Sequence, residues 1–136
     1  KNKFENNNYF DESFFMYWEN NDICIRVIND GGSVFIVPKA KIKHLGAKAV
    51  DPKFFKEIEL SRNWHWMWST FNYHRKYKGF FISLLIVLPK LISAIIKILI
   101  YTLIFNKEKK KIYYQRLSGL INAIMGKSSW YRPKVY

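Results

Sequence analysis

The sequence predicts an α/β segment followed by a mostly helical region that associates with a membrane. Three observations support this fold class. Residues 22–37 place a short helix pattern before an apolar, β-branched run, residues 51–78 carry a long aromatic and basic helix pattern, and residues 79–105 are almost wholly apolar. The length of 136 residues suits one domain at most. The chain divides into four parts, residues 1–50, 51–78, 79–111 and 112–136.

The α/β segment is predicted from a helix and two strands. Asp22 is placed to cap a helix over residues 23–29, and the glycine pair at 31–32 ends it because glycine tolerates a positive φ. Residues 33–37 form a short apolar run typical of a buried strand. Residues 39–43 alternate lysine with apolar side chains, which suits an edge strand.

The next element is a long helix that starts at Asp51-Pro52 and ends near Tyr77. Aspartate is a good cap, and proline is tolerated in the first turn of a helix. Three large aromatic residues share one face at helical spacing, Trp64, Trp68 and Phe71. Two interpretations stay open for the cluster of Trp64, Trp66 and Trp68. Either at least two of these side chains pack in the core, or the cluster stacks on a sugar or a lipid-linked acceptor.

The apolar run 79–105 is close to the length of a membrane span. Ser83, Lys90 and Lys97 recur every seven residues and form a narrow polar stripe. A lysine at the bilayer centre costs roughly 2.5–3.5 kcal/mol on insertion scales. We therefore predict a helix pair broken at Pro89 that lies in the interface, with its lysines reaching the headgroups. A spanning helix and a buried soluble helix are the alternatives.

Positive charge is concentrated in the second half of the chain. Residues 1–59 hold nine basic and nine acidic residues, whereas residues 60–136 hold fourteen basic residues and only Glu108 as an acid. The cluster at 107–111 follows the apolar run, which favours anionic lipid and the cytoplasmic face of the membrane. A final amphipathic helix is predicted over residues 112–125.

Residues 11–46 resemble the second half of the catalytic domain of family 2 glycosyltransferases, which are inverting enzymes with a GT-A fold. The matching stretches are DESFFMYWENNDICIR at 11–26, VPKA at 37–40 and HLG at 44–46. The resemblance implies transfer from a nucleotide-diphosphate sugar to a lipid-linked or cell-surface polysaccharide acceptor. The sequence contains no Gly-rich phosphate loop and no Asp-x-Asp motif. We therefore expect a C-terminal fragment that lacks the nucleotide-binding half and is inactive alone.

The resemblance also implies a general base near the start of the predicted helix. The family places this base at the position of Asn20, whose amide cannot accept the proton. We favour Glu19 as the base and Asp22 as the second candidate. The structural alternatives are a plain helix cap for Asp22 and a solvated rim position for Glu19.

Further site residues follow from the same resemblance. It implies that His44 helps to hold a divalent cation, Mn²⁺ or Mg²⁺, or the diphosphate, with the other ligands in the missing half; imidazole suits Mn²⁺ better. We assign Trp18, Arg26 and Lys48 to substrate binding. Arg26 could instead pair with the nearby acids and keep them ionised, or be a plain surface residue.

Two other function classes stay open. One is a non-catalytic membrane-anchoring module, which the acidic cluster at 11–22 and His44 argue against. The other is a basic module that binds nucleic acid through interleaved aromatic and basic residues. The aliphatic run 80–105 disfavours it because nucleic acid offers that surface nothing apolar, so we expect no nucleic-acid partner.

Overall fold

The computed structural model describes residues 9–43 and 50–134 and is helical. The four α-helices are α1 at Glu19–Asn29, α2 at Phe55–Lys78, α3 at Phe80–Leu103 and α4 at Lys107–Ile124. Helices α2, α3 and α4 pack together, with α3 antiparallel to the other two, and α1 lies beside α2. The predicted α/β class is wrong, because the described part of the chain contains helices and no strand.

Both predicted strands are exposed, irregular segments instead, with a turn at residues 38–39 between them. In the run 33–37, Phe35 is 80% exposed and Ile36 is 93% exposed. The edge segment 39–43 is also exposed. A strand needs a neighbour to satisfy its backbone groups, and β-branched composition alone does not provide one. The described residues supply no such neighbour for either segment.

Helix α1 begins at Glu19, four residues before the predicted start at residue 23. It follows a tight turn in which Tyr17 and Trp18 have left-handed backbone angles, with φ of 70° and 69°. Asp22 is therefore inside the helix and does not cap it. The predicted end is confirmed, since α1 stops at Asn29 and Gly31 follows with φ of 73°.

Helix α2 is confirmed and supplies most of the core. The side chain of Asp51 accepts from the Lys53 amide and caps a 3-10 turn at Pro52–Phe54, which leads into α2. The predicted shared face is buried, with Trp64 and Phe71 fully inaccessible and Trp68 nearly so. Helix propensity is weak in this aromatic stretch, so packing against α3 and α4 stabilises it.

Helix α3 is one continuous helix, so the predicted break at Pro89 is wrong. Val87 and Ala94 are buried on either side of the proline. This packing keeps the helix continuous although Pro89 has no backbone N–H to donate. The helix is long and apolar enough to span a membrane. Only 17% of its most apolar stretch is buried in the protein, unlike the core helix of a soluble protein.

Helix α3 has two different faces. Its inward face carries the predicted polar stripe, in which Ser83 is buried and Lys97 donates to the Tyr113 hydroxyl at 3.1 Å. In the protein Lys97 is half-exposed and α4 provides a partner for it, so the prediction that it reaches the headgroups stays a prediction. The outward face is a stripe of exposed apolar residues at helical spacing, Phe81, Leu85, Leu88, Ile92, Ile95, Leu99 and Leu103.

Helix α4 starts five residues before the predicted boundary at 112. Lysines in a first turn oppose the positive end of the helix dipole, so the basic cluster does not look like a helix start. Asn106 offsets this by capping the helix, its side chain accepting from the Lys109 amide at 3.0 Å. The acid Glu108 also lies in the first turn.

Helices α2 and α4 come closest at Gly119, which is buried against the Trp64 carbonyl. A Cβ at residue 119 would lie 2.3 Å from that oxygen, so only glycine fits without moving a backbone. Gly119→Ala is expected to destabilise the protein. Glycine to alanine inside a helix ordinarily stabilises by roughly 0.5–1 kcal/mol, whereas overpacking costs about 1–3 kcal/mol. Urea unfolding followed by tryptophan fluorescence measures the change, and a more stable variant would contradict the close contact. Ile121→Ala, on the exposed side of α4, is the control.

Candidate functional site at the start of helix α1

The loop before α1 is held on α2 by hydrogen bonds. The Ser69 hydroxyl donates to the Met16 carbonyl at 2.8 Å, and the Trp18 indole donates to the Thr70 hydroxyl at 3.1 Å. Phe14 is buried in the core beside α2. These contacts fix the turn that precedes Glu19.

The turn itself is strained. Tyr17 and Trp18 are consecutive non-glycine residues with positive φ, a conformation that costs energy for L-residues. The Trp18 ring lies 4.4 Å from the Tyr73 ring and 6.2 Å from the Trp66 ring between centroids. Such strain persists where surrounding contacts enforce it, and it clusters at functional sites.

Glu19 directly follows this turn and is only partly exposed. Its Oε2 atom is buried and has no hydrogen-bond partner among the described residues. Most buried polar atoms in proteins are paired, so an unpaired carboxylate oxygen needs an explanation. Because Oε2 is buried, a substrate hydroxyl can approach only the other carboxylate oxygen, Oε1. The assignment of Glu19 as the base stays a prediction.

Asp22, the second candidate base, is committed to other contacts. Its side chain is fully buried, and Oδ2 accepts from the Arg26 Nε at 3.0 Å. Oδ1 accepts from the Lys76 Nζ at 2.5 Å and from the Tyr77 hydroxyl at 2.6 Å. With two cations and a hydroxyl on it, this carboxylate has a structural role, so the prediction of catalytic work by Asp22 is disfavoured.

Lys76 and Tyr77 are the α2 residues that bind the Asp22 carboxylate. Lys76 also donates to the Asp11 Oδ2 at 2.7 Å. Burial lowers the pKa of Lys76, but its bonds to Asp11 and Asp22 outweigh this and the pKa lies above its ordinary value. Burial and the Asp22 carboxylate raise the pKa of Tyr77 to about 12. Both groups are therefore protonated at neutral pH.

The remaining predicted site residues fall into three groups. Asn20 is exposed at the start of α1, and Trp18 is half-buried between α2 side chains. Arg26 pairs with Asp22, as one of the three interpretations expected, and it also donates to the Tyr9 carbonyl. His44 and Lys48 lie outside the residues that the structure describes.

The described residues do not form a site for the expected divalent cation. Across 9–43 and 50–134, no group of three His, Cys, Asp or Glu side chains is placed to hold a metal. Asp22, the acid nearest in sequence to Glu19, is occupied by its cationic partners. We therefore assign no catalytic step to a metal held by these residues.

The tryptophan cluster resolves into different roles. Trp64 and Trp68 are core residues, which confirms that at least two of the cluster pack inside the protein. Their indole groups donate to the Ser118 hydroxyl and to the Lys127 carbonyl. Trp66 is 41% exposed and faces the surface beside Tyr17. It alone of the three is free to meet a ligand.

His65 is a fully buried histidine that joins α2 to the C-terminal segment. Its Nε2 lies 2.7 Å from the Tyr131 carbonyl oxygen, so Nε2 carries the proton and donates. Its Nδ1 is buried without a partner among the described residues. Burial lowers the pKa of His65, the Tyr131 carbonyl acts in the opposite direction, and the charge of Arg132 lowers it further.

The free energy of unfolding is therefore expected to fall as the pH is lowered through the range in which His65 titrates. The unfolded chain binds the proton more tightly than the folded one, so the contribution is complete above the unfolded pKa of about 6.5 and is lost as pH falls through the folded pKa. Thermal unfolding midpoints across pH 8 to 5 measure this dependence. His65→Gln should flatten it, leaving the part due to His74, whose pKa is also lowered by burial. An unchanged slope would contradict the assignment.

Comparison with known proteins identifies no relative of this chain. It matches no protein-family model, no curated protein and no solved structure. The resemblance carried by residues 11–46 stays a prediction, and the function is proposed from the chemistry of the helices and the turn at Glu19.

Proposed function

We propose that this chain is the membrane-associated C-terminal part of an inverting glycosyltransferase. The enzyme transfers a sugar from a nucleotide-diphosphate donor to a lipid-linked or glycan acceptor at the cytoplasmic face of the membrane. The observation that carries the proposal is the unpaired carboxylate of Glu19 on a strained aromatic turn, in the segment that resembles family 2 glycosyltransferases. The exposed apolar stripe of α3 supports the membrane association.

Glu19 acts as the general base in this proposal. Its carboxylate accepts the proton of an acceptor hydroxyl as that oxygen attacks the anomeric carbon of the donor sugar. Attack comes from the face opposite the diphosphate, so the new bond forms with inversion. The bond to the diphosphate breaks, and its electron pair leaves with the nucleoside diphosphate.

The helices favour an in-plane position on the membrane over a span. Helices α2 and α4 pack along the inward face of α3, and both carry many charged residues. Crossing the bilayer would bury these charges in lipid at high cost. An in-plane orientation places the outward stripe of α3 in the leaflet and leaves α2 and α4 towards water.

A transfer assay tests the proposed activity. Membranes that contain the full-length enzyme are incubated with radiolabelled nucleotide sugars, and label is counted in the organic-solvent extract and in the glycan fraction. We expect transfer from at least one donor by the full-length enzyme and none by the purified 136-residue chain. Turnover of a nucleotide sugar by this chain alone would contradict the proposal that it is one part of the enzyme.

Membrane association has a separate test. Each apolar side chain of α3 buried in lipid contributes about 1.5–3 kcal/mol, and each lysine near anionic lipid contributes about 1 kcal/mol. Detergent is therefore expected to extract the protein, whereas high salt is not. Replacing Lys107, Lys109, Lys110 and Lys111 by glutamine should weaken the preference for anionic vesicles without abolishing binding. Release by salt alone would contradict insertion of the stripe.

A non-catalytic membrane anchor is the second candidate, because the α3 stripe supports it equally well. The two candidates differ at Glu19. An anchor predicts that a substitution there changes neither membrane binding nor any transferase activity of the full-length protein.

A further inference from the structure

A groove on the outer side of α2 joins the turn at Glu19 to helix α3. It consists of two adjoining cavities of about 290 and 240 Å³. The first lies beside Tyr17 and Arg62, and the second lies beside Pro89 and Lys90. Trp66 and Arg116 line both cavities, so the two cavities meet at these side chains.

The groove is cationic. Arg62, Arg116 and Lys90 line it, whereas Glu59 is the only acid in its lining. The Arg62 Nε donates to the Tyr17 hydroxyl at 2.9 Å, and the Arg116 Nε donates to an Asn63 amide oxygen at 2.7 Å. Within residues 9–43 and 50–134, none of these three cations is in a salt bridge. The groove therefore carries uncompensated positive charge, which an anion would neutralise.

The position of the groove adds a second requirement on its ligand. Its far end is formed by Pro89, Lys90, Ser93 and Ala94 of α3. Ile92, about one helical turn from Pro89, belongs to the exposed apolar stripe. A ligand that fills the groove and continues along α3 is anionic at one end and apolar at the other. Trp66 offers an exposed aromatic face between the two ends.

We propose that this groove binds the phosphate or diphosphate headgroup of a lipid-linked acceptor, with the lipid chain along the outward stripe of α3. The assignment of this lipid as the acceptor rests on the proposed function; the binding site rests on the groove itself. Arg116 and Lys90 contact the phosphate oxygens, and Trp66 packs on the attached sugar. The near end of the groove is at Tyr17, two residues before Glu19 in the sequence.

A competing ligand is the diphosphate of the soluble donor, which has the same charge chemistry but no apolar chain. Binding is therefore measured with two probes, a long-chain polyprenyl monophosphate in phosphatidylcholine vesicles and uridine diphosphate in solution. Vesicles of phosphatidylglycerol with equal surface charge separate headgroup recognition from general attraction to anionic lipid.

Arg116→Gln and Lys90→Gln are each expected to weaken binding to the polyprenyl phosphate vesicles about tenfold or more. This is the size of one lost hydrogen bond to a charged group. Binding to phosphatidylglycerol vesicles should change little. The control is Lys78→Gln, which removes one exposed charge at the end of α2 outside the groove. The Lys90 side chain is exposed and makes no hydrogen bond to another described residue, so its variant tests the site even if Arg116→Gln unfolds.

The outcomes separate this inference from the proposed function. Equal loss for Lys78→Gln and Lys90→Gln, or loss of uridine diphosphate binding alone, would overturn the lipid groove while leaving transfer by Glu19 intact. Selective loss of polyprenyl phosphate binding supports the groove. That support would stand even if the full-length enzyme transferred no sugar to lipid, a result that would overturn the proposed function instead.

Discussion

Replacing Glu19 by glutamine in the full-length enzyme is expected to lower kcat about 10²–10⁴-fold, the usual contribution of a general base. Glutamine has nearly the same shape but cannot accept the proton. The donor KM should change far less, because the base proposed at Glu19 would act on the acceptor hydroxyl and not on the donor. Initial rates of transfer from the labelled donor measure both quantities.

Two matched variants sharpen this test. Asn20→Asp, at an exposed neighbouring position, restores the carboxylate of the family pattern and is expected to be tolerated. Asp22→Asn should reduce activity only as far as it reduces the amount of folded protein. If Glu19→Gln were close to wild type while Asp22→Asn was folded and inactive, the base would be Asp22.

Asp22→Ala is expected to destabilise the protein by about 3–5 kcal/mol, the cost of removing one partner from a buried ion pair. The Asp22 carboxylate is fully buried, and its loss removes one bond each from Arg26 and Lys76, which keep the Tyr9 carbonyl and the Asp11 carboxylate as partners. The Tyr77 hydroxyl loses its acceptor as well. Such a loss is a large part of the stability of a small domain. Urea unfolding in detergent measures it.

The exposed ion pair between Lys56 and Glu108 provides the control. Surface pairs contribute little, so Glu108→Gln should leave the unfolding midpoint almost unchanged. A similar small effect for Asp22→Ala would show that the buried cluster does not hold α1 on α2.

Sequence patterns predicted the helices whose signals are local. The Asp51 cap and the spacing of Trp64, Trp68 and Phe71 identify α2, and the structure buries that face. The strand at 33–37 was wrong because a strand depends on a neighbour that composition does not reveal. The break at Pro89 was wrong because packing on both sides outweighs one missing donor.

The candidate site could be predicted only in part, because many of its contacts join residues that are distant in sequence. The family-like pattern pointed to Glu19 and Asp22 together, but only the fold separates them. Arg26 lies at helical spacing from Asp22, but the other two groups bonded to this carboxylate, Lys76 and Tyr77, come 54 and 55 residues later in the chain. Arg116 and Trp66 likewise meet only through packing of α2 on α4. No spacing rule connects residues so far apart in sequence.

The C-terminal segment sets when the site can be completed during synthesis. The Ser129 hydroxyl donates to the Ser13 carbonyl at 3.1 Å, which joins residues 116 positions apart. The Tyr131 carbonyl accepts a hydrogen bond from the His65 Nε2. A ribosome adds roughly 5–20 residues per second, so residues 129–131 are made seconds after the segment at Ser13 that they contact. Helix α3, the proposed membrane contact, precedes them in the chain. Under the proposed membrane association, α3 can meet the lipid surface before these residues pack against the segment that leads into α1, so the proposed site would be completed at the membrane.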